Sequence, residues 1–116
     1  MYDYSFYEHL LIEVKDGVAL LTINRPEVYN ATNAKLHNEL SVVWLDLAKD
    51  DDVRVAVITG AGTAFSAGGD FGLIQDSIGN GKVIAGTMEE ARDIVHNMIN
   101  LDKPIISAIN GVAVGA

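Results

Sequence analysis

The sequence predicts an α/β fold, in which short apolar strands alternate with helices in the order β-β-α-β-α-β. Three observations carry this prediction. Two β-rich runs flank the pair Asp16-Gly17, one long segment repeats apolar residues at helical spacing, and two later apolar runs each end in a glycine-containing turn.

The first two strands are predicted to form a hairpin within residues 10–23. The runs 10–14 and 18–23 are apolar and β-rich, and an Asp-Gly pair between such runs is typical of a tight turn. Pro26 ends the second run, because proline has no N–H for a central strand. A loop is then predicted over residues 27–33.

A helix is predicted over residues 33–49, with Thr32 or Asn33 as its N-cap. Its apolar residues lie three or four positions apart, which places them on one helix face that packs against the core. These residues are Leu36, Leu40, Val43, Trp44 and Leu47.

The second half of the chain predicts two strands, a loop and a helix. The run 54–59 indicates a strand buried on both faces, as in parallel sheets, and the run 105–109 indicates another strand. Residues 72–86 contain several glycines and no clear period, which predicts a mobile loop. Thr87-Met88-Glu89-Glu90 fits a capping box and predicts that the second helix begins there.

Composition and charge narrow the class of protein. The chain has 116 residues, is 49% hydrophobic and carries a formal net charge of −8. Nucleic acids and anionic membranes bind to basic protein surfaces, which this acidic chain lacks, so we expect neither as a partner. It has no cysteine and no signal-peptide pattern, so we expect a cytoplasmic protein. We expect no metal site from the scattered histidines His9, His37 and His96.

The segment 59–70, TGAGTAFSAGGD, is the most informative for function. A glycine-rich turn after a strand exposes backbone N–H groups to an anion or a polarised carbonyl oxygen. A dinucleotide site is disfavoured because position 65 is Phe, where the fingerprint needs glycine, and the P-loop pattern is absent. Ser66 lacks a nucleophile-elbow context and is predicted to be structural. Asp70 is either a catalytic acid or, as we favour, the N-cap of a helix.

A second glycine turn, at residues 111–116, follows the strand predicted over 105–109. One N–H group from each of these two neighbouring turns can converge on a single oxygen. Such a pair forms an oxyanion hole, in which each donor stabilises the transition state by about 3 kcal/mol.

Three blocks of the sequence together resemble the enoyl-CoA hydratase/isomerase (crotonase) superfamily. They are LTINRP with the following Asn30-Ala31, residues 55–70 ending in FSAGGD, and residues 103–115, KPIISAINGVAVG. The resemblance implies a crotonase-like ββα spiral, with residues 1–116 as the N-terminal part of one core domain, truncated before its C-terminal helices. It also implies a homotrimer or a dimer of trimers.

The resemblance further implies acyl-CoA thioesters as ligands, with coenzyme A as part of the substrate and no permanently bound cofactor. By match to the family's motifs, the backbone N–H groups of Gly69 and Ala116 hold the thioester carbonyl oxygen. Phe71 and Ile74 either line the acyl pocket or pack in the core. Contacts with CoA are implied for Glu27, Val28, Ala31, Ala67, Gly68, Gly69 and Asp70.

The chain departs from the family's pattern at two of these positions. Ala116 stands where glycine is usual, and it adds a Cβ beside the second donor while keeping its N–H. Glu27 stands where a basic residue is frequent, and it would repel the CoA phosphates.

The chemistry that follows thioester binding stays open. In hydratases of this family the acid/base carboxylates lie beyond the second oxyanion residue. The simplest hypothesis is an enoyl-CoA hydratase or isomerase that stabilises an enolate. The alternatives are another crotonase-type reaction (thioester hydrolysis, dehalogenation or decarboxylation) and a non-catalytic acyl-CoA-binding homologue. A Clp-like serine hydrolase is least favoured, because residues 111–116 contain no serine.

Overall fold

The computed structural model describes residues 2–115. Within them it contains three helices, α1 (Ala34–Lys49), α2 (Phe71–Ser77) and α3 (Gly81–Ile99), and a short 3-10 turn at Pro26–Val28. The strands are β1 (Leu10–Lys15), β2 (Val18–Ile23), β3 (Val55–Gly60), β4 (Ala64–Ser66), β5 (Ile105–Ser107) and β6 (Val112–Ala113).

The main sheet has four strands in the order β1-β2-β3-β5. The β1–β2 pair is antiparallel, and both β2–β3 and β3–β5 are parallel. The predicted hairpin is confirmed: Asp16 and Gly17 both adopt left-handed backbone conformations, with φ of 53° and 83°. A turn with two such residues matches the twist of the flanking strands, which is why an Asp-Gly pair suits it.

Helix α1 covers one face of this sheet, and its N-cap is Asn33, as predicted. The Asn33 side chain accepts a hydrogen bond from the Leu36 N–H at 2.9 Å. Trp44 is only 1% exposed, which confirms its place in the core. The fully buried apolar residues of this core are Leu10, Ala19, Leu21, Ile23, Leu36, Val43, Trp44, Leu47, Val53, Ala56 and Ile58, with Tyr7 beside them.

Two strand predictions need correction. In β3, Ala56 and Ile58 are buried but Val55 and Val57 are only half-buried, so burial on both faces was wrong. Strand β5 ends at Ser107 rather than at residue 109. Beyond Ser107 the Ala108 N–H still bonds the Ile58 carbonyl oxygen at 2.8 Å. The remaining contacts with the end of β3 are made by side chains, from Thr59 to the Ala108 carbonyl oxygen and from the Gly60 N–H to Asn110.

Strands β4 and β6 form a second, two-stranded parallel sheet, which the sequence did not predict. Ala64 lies opposite Val112, so the segments that follow β3 and β5 in the chain pair with each other. This small sheet brings the two glycine turns of the sequence to the same end of the molecule.

The mobile loop predicted over residues 72–86 and the helix start predicted at Thr87 are both wrong. Helix α2 begins at Phe71, and α3 begins at Gly81, where the Asn80 side chain accepts a hydrogen bond from the Val83 N–H at 3.2 Å. Each glycine makes a helix less favourable by about 1 kcal/mol, so the sequence pattern did not predict this first turn of α3. Packing of α3 against α1 outweighs that preference, and the Asn97 side chain bonds the Ser41 carbonyl oxygen at 2.6 Å.

The N-terminal segment is fastened to the last turns of α1 by tyrosine hydroxyls. Tyr2 donates to Asp46 at 2.7 Å, Tyr4 donates to Asp50 at 2.7 Å, and Tyr7 also bonds Asp46. Burial and the adjacent carboxylates raise the pKa of the Tyr4 and Tyr7 hydroxyls, which therefore stay protonated as donors. Among residues 2–115, no helix has both the length and the apolar character needed to cross a bilayer.

Candidate functional site

The turn after β4 presents an exposed main-chain N–H at Gly69. Thr32 bonds to both sides of this residue: its N–H donates to the Gly68 carbonyl oxygen, and its carbonyl oxygen accepts from the Asp70 N–H, both at 2.7 Å. In such a parallel bridge the N–H of the middle residue points away from the partner. Within residues 2–115 the Gly69 N–H donates no hydrogen bond, so it is available to a ligand.

The turn after β6 packs directly against this first turn. Gly115 has φ of +87°, and a Cβ placed on it would lie 2.9 Å from the Gly68 Cα and 3.8 Å from the Gly69 nitrogen. The two glycine turns therefore meet, as the sequence predicted. The second predicted donor, Ala116, follows at once in the chain but lies outside the described residues.

The segment predicted to contact CoA lies beside the Gly69 turn. The Ala67 N–H donates to the Tyr29 carbonyl oxygen at 3.0 Å. Glu27 is exposed, while Val28 and Ala31 are half-buried. The structure thus places segment 27–31 next to residues 67–70.

Asn30 fixes the shape of segment 27–31, and sequence reasoning gave it no role. It is fully buried at 0% exposure, with φ of 58°. Its Oδ1 accepts from the Arg25 N–H at 2.8 Å, and its Nδ2 donates to the carbonyl oxygens of Ala61 at 2.9 Å and Ala64 at 2.8 Å. Every polar atom of this buried side chain therefore has a partner, as such groups require.

Asn110 plays the matching part before the second turn, and its role was also missed. Its Oδ1 accepts from the Gly60 N–H at 3.1 Å, and its Nδ2 donates to the carbonyl oxygens of Gly62 at 3.1 Å and Ala64 at 3.2 Å. Both asparagines thus bind the loop between β3 and β4. The signal that could have found them is an asparagine at the break after an apolar strand, where its short side chain reaches nearby main chain.

Asp70 is the N-cap of α2, which confirms the favoured interpretation. Its Oδ1 accepts from the Gly72 N–H at 2.8 Å, and its Oδ2 lies 3.3 Å from Arg25 Nη1. The bond from Gly72, assisted by Arg25, holds the pKa of the Asp70 carboxyl below its ordinary value. The carboxylate is therefore ionised at neutral pH and cannot act there as an acid.

Ser66 also has the structural role predicted for it. Its Oγ accepts a hydrogen bond from the Gly68 N–H at 3.2 Å and lies 3.4 Å from the Asn30 carbonyl oxygen. These bonds link the end of β4 to the turn that carries Gly69.

Phe71 and Ile74 do not pack in the core. Phe71 is 80% exposed and Ile74 is 54% exposed. The Ile74 side chain lies 3.6 Å from the position that a Cβ on Gly69 would take. The structure thus contradicts core packing of these two side chains, and the acyl-pocket interpretation stays a prediction.

A cavity of about 300 Å³ lies between α1, α2 and α3. The hydrogen bond between His37 and Glu90 forms part of its wall, and Asn38 donates a further bond to Glu90 at 3.0 Å. Its lining residues are Ala34, His37, Leu73, Lys82, Val83, Gly86, Thr87 and Glu90. A larger cavity of about 690 Å³, under the N-terminal segment, contains none of the predicted site residues. The described part of the chain has no cluster of three or more metal-ligating side chains.

The paired glycine turns define the class of this molecule: an α/β protein whose candidate site presents the main-chain N–H of Gly69 where the two turns meet. The family model for enoyl-CoA hydratase/isomerase matches residues 13–116. The chain belongs to the enoyl-CoA hydratase/isomerase family, and its fold is the crotonase fold, as predicted.

Individual relatives agree with this assignment. The chain is 37% identical to 1,2-epoxyphenylacetyl-CoA isomerase of Escherichia coli over 94% of its own length and 42% of that protein. It is 39% identical to (E)-benzylidenesuccinyl-CoA hydratase of Thauera aromatica, over 90% of the chain and 40% of that protein. A crystal structure of an enoyl-CoA hydratase/isomerase from Mycobacterium paratuberculosis superposes with a TM-score of 0.85 at 38% identity, over 89% of this chain and 41% of that one. The chain thus spans about two-fifths of the length of these relatives.

Replacement by alanine is expected to destabilise the protein much more at Gly68 than at the neighbouring Gly69 in the first turn. A Cβ on Gly68 would lie 3.1 Å from the Val114 carbonyl oxygen, at φ of +91°, so Gly68→Ala should destabilise the protein by about 2 kcal/mol. A Cβ on Gly69 meets only Ile74, at 3.6 Å, so Gly69→Ala should cost less than about 1 kcal/mol. Urea unfolding of the two variants measures the difference, and equal losses would contradict the packing described for this turn.

Proposed function

We propose that this chain forms the thioester-binding part of an acyl-CoA enzyme, an enoyl-CoA hydratase or isomerase. In this proposal the backbone N–H groups of Gly69 and Ala116 hold the thioester carbonyl oxygen. The single observation that carries it is the exposed Gly69 N–H, which has no partner within residues 2–115 and lies where the two glycine turns meet.

The surroundings of Gly69 fit an acyl-CoA thioester, which has a long polar CoA part and an apolar acyl group. Ile74 and Phe71 offer apolar surface beside the N–H for the acyl group. On the other side, residues 67–69 offer main chain and small side chains to CoA, and segment 27–31 beside them adds the exposed side chains of Glu27 and Tyr29. Coenzyme A enters as part of the substrate, and the proposal needs no permanently bound cofactor.

The chemical gain comes from charge that develops on the carbonyl oxygen. When the thioester becomes an enolate, this oxygen carries more negative charge than in the substrate. Donors that are already aimed at it therefore stabilise the transition state more than the ground state. Each such donor contributes about 3 kcal/mol, as measured for donors in other oxyanion holes.

The proton-transfer groups are proposed to lie outside residues 2–115. Asp70 is held by Gly72 and Arg25, and Glu90 is held by His37 and Asn38. Neither carboxylate is therefore poised to exchange a proton with a bound enolate. Relatives in the family are more than twice as long as this chain, and their further length is where we place these groups. Cytoplasmic location and assembly as a homotrimer or a dimer of trimers are part of the same proposal.

The test of this function uses the longer protein that the proposal implies, in which residues 1–116 are continued by the segment that supplies the proton-transfer groups. That protein is titrated with crotonyl-CoA and acetoacetyl-CoA, with free CoA as the reference ligand. We expect both thioesters to bind more tightly than free CoA, because only they carry the carbonyl oxygen. Formation of the hydrated or isomerised product from an enoyl-CoA would complete the assignment. Binding without turnover of any enoyl-CoA would favour the non-catalytic homologue, and failure to bind any acyl-CoA would overturn the proposal.

A further inference from the structure

We propose that Arg25 is a positioning residue that keeps the Gly69 N–H aimed at the thioester oxygen by tying segment 27–31 to Asp70. This inference rests on the proposed function. Arg25 itself touches no ligand in the proposal, and it acts through the residue that follows Gly69.

The Arg25 guanidinium points into the protein and bridges two segments. Its Nη1 donates to the carbonyl oxygen of Ala31 and lies 3.3 Å from Oδ2 of Asp70. The Arg25 side chain is 12% exposed and that of Asp70 is 23% exposed. At the main chain, the Arg25 N–H is held by Asn30 at 2.8 Å, so the whole residue is fixed to segment 27–31.

Asp70 is thereby anchored at both its main chain and its side chain. Its N–H bonds the Thr32 carbonyl oxygen at 2.7 Å, one carboxylate oxygen caps α2, and the other faces Arg25. The peptide plane that carries the Gly69 N–H lies just before this anchored residue. Because a charge-assisted bond is stronger than a neutral one, the Arg25 contact limits rotation of the turn.

A cation suits this role, because one nitrogen with several N–H donors can satisfy a carbonyl and a carboxylate together, as Nη1 of Arg25 does. The inward orientation also argues against direct contact with CoA phosphates, for which an exposed cation would be expected. The two roles predict different results for free CoA, which contains the phosphates but no thioester carbonyl.

The experiment compares Arg25→Met, Arg25→Lys and Asp70→Asn with the unaltered sequence, each in the longer protein that supplies the proton-transfer groups of the proposed function. Arg25→Met keeps much of the length of the side chain and removes the charge. Asp70→Asn keeps an oxygen for the Gly72 N–H but loses the carboxylate that faces Arg25. Arg92→Met is the matched control, because it removes the same charge from a side chain that is 63% exposed on α3. Circular dichroism establishes that each variant is folded.

We expect Arg25→Met to lower kcat for an enoyl-CoA by about 100-fold, the usual consequence of a donor displaced by about 1 Å. The near-UV enolate absorbance of bound acetoacetyl-CoA should fall with it, while the affinity for free CoA changes less than about threefold. Asp70→Asn should lower kcat and the enolate absorbance in the same way, and the double variant should have a kcat no lower than Arg25→Met, because both act through one contact. Arg25→Lys should recover part of kcat, and Arg92→Met should behave as the unaltered protein.

Three results would overturn the inference. Equal losses of affinity for free CoA and acyl-CoA in Arg25→Met would indicate phosphate binding or a general structural role. Additive effects in the double variant would show that the two residues act separately. Unchanged kcat in both single variants would remove the positioning role while leaving the proposed function intact, whereas failure of the unaltered protein to bind any acyl-CoA would overturn both. If Arg25→Met does not fold, Asp70→Asn decides the question, because the Arg25 bond to Ala31 then remains.

Discussion

Replacing Gly111 with alanine is expected to destabilise the protein by about 3 kcal/mol or more and to abolish acyl-CoA binding. A Cβ on Gly111 would lie 2.0 Å from the carbonyl oxygen of Thr63 and 3.0 Å from its carbon. Both are main-chain atoms in the loop between β3 and β4, so no flexible side chain can move aside. The segment leading into β6 must therefore separate from β4, and Gly115 then loses its place against Gly68.

Gly86→Ala is the matched control for this change. Gly86 lies inside α3, and apart from the adjacent main chain of its own helix no atom of residues 2–115 lies within 4 Å of the position its Cβ would take. Because alanine favours a helix over glycine, this variant should be stabilised by about 0.5–1 kcal/mol. Thermal and urea unfolding measure both variants. A Gly111→Ala protein with unchanged stability would show that the close approach of the two loops is not as described.

Replacing Asn30 with alanine is the second change with a large expected effect, a loss of about 3–5 kcal/mol. The substitution leaves the Arg25 N–H and the Ala61 carbonyl oxygen without their Asn30 partner, and each unsatisfied buried group costs about 1–3 kcal/mol. The Ala64 carbonyl oxygen loses one of its two bonds and keeps the one from Asn110. Alanine also disfavours the left-handed conformation, with φ of 58°, by about 1 kcal/mol. The affinity for acyl-CoA should fall as well, because segment 27–31 loses its attachment to the loop after β3.

Two further variants separate these contributions. Asn30→Gly loses the same hydrogen bonds but accepts the left-handed backbone, so it should be less destabilised than Asn30→Ala by about 1 kcal/mol. Asn100→Ala changes an exposed asparagine at the end of α3 and should shift stability by less than about 0.5 kcal/mol. If Asn30→Ala unfolds at the same urea concentration as Asn100→Ala, the buried hydrogen bonds of Asn30 do not stabilise the site.

Local sequence patterns predicted the elements of the fold whose contacts join residues that are close in sequence. The hairpin follows from Asp16-Gly17, and α1 follows from the spacing of its apolar residues and from the Asn33 cap, because each depends on a few adjacent residues. The first turn of α3 could not be found in this way. Gly81 and Gly86 oppose a helix locally, and only contact with α1 compensates for them.

The sequence by itself determined the composition of the site, and the tertiary structure decided its geometry. The motif resemblance identified the family, and it predicted the role of Gly69 and the residues that contact CoA. It did not reveal the pairing of β4 with β6, nor the roles of Asn30, Asn110 and Arg25. Each of these depends on contacts between residues about 30 to 50 positions apart, such as Ala64 with Val112 and Arg25 with Asp70. Contacts of this kind have no local periodicity, so they exist only once the main sheet has brought the two glycine turns together.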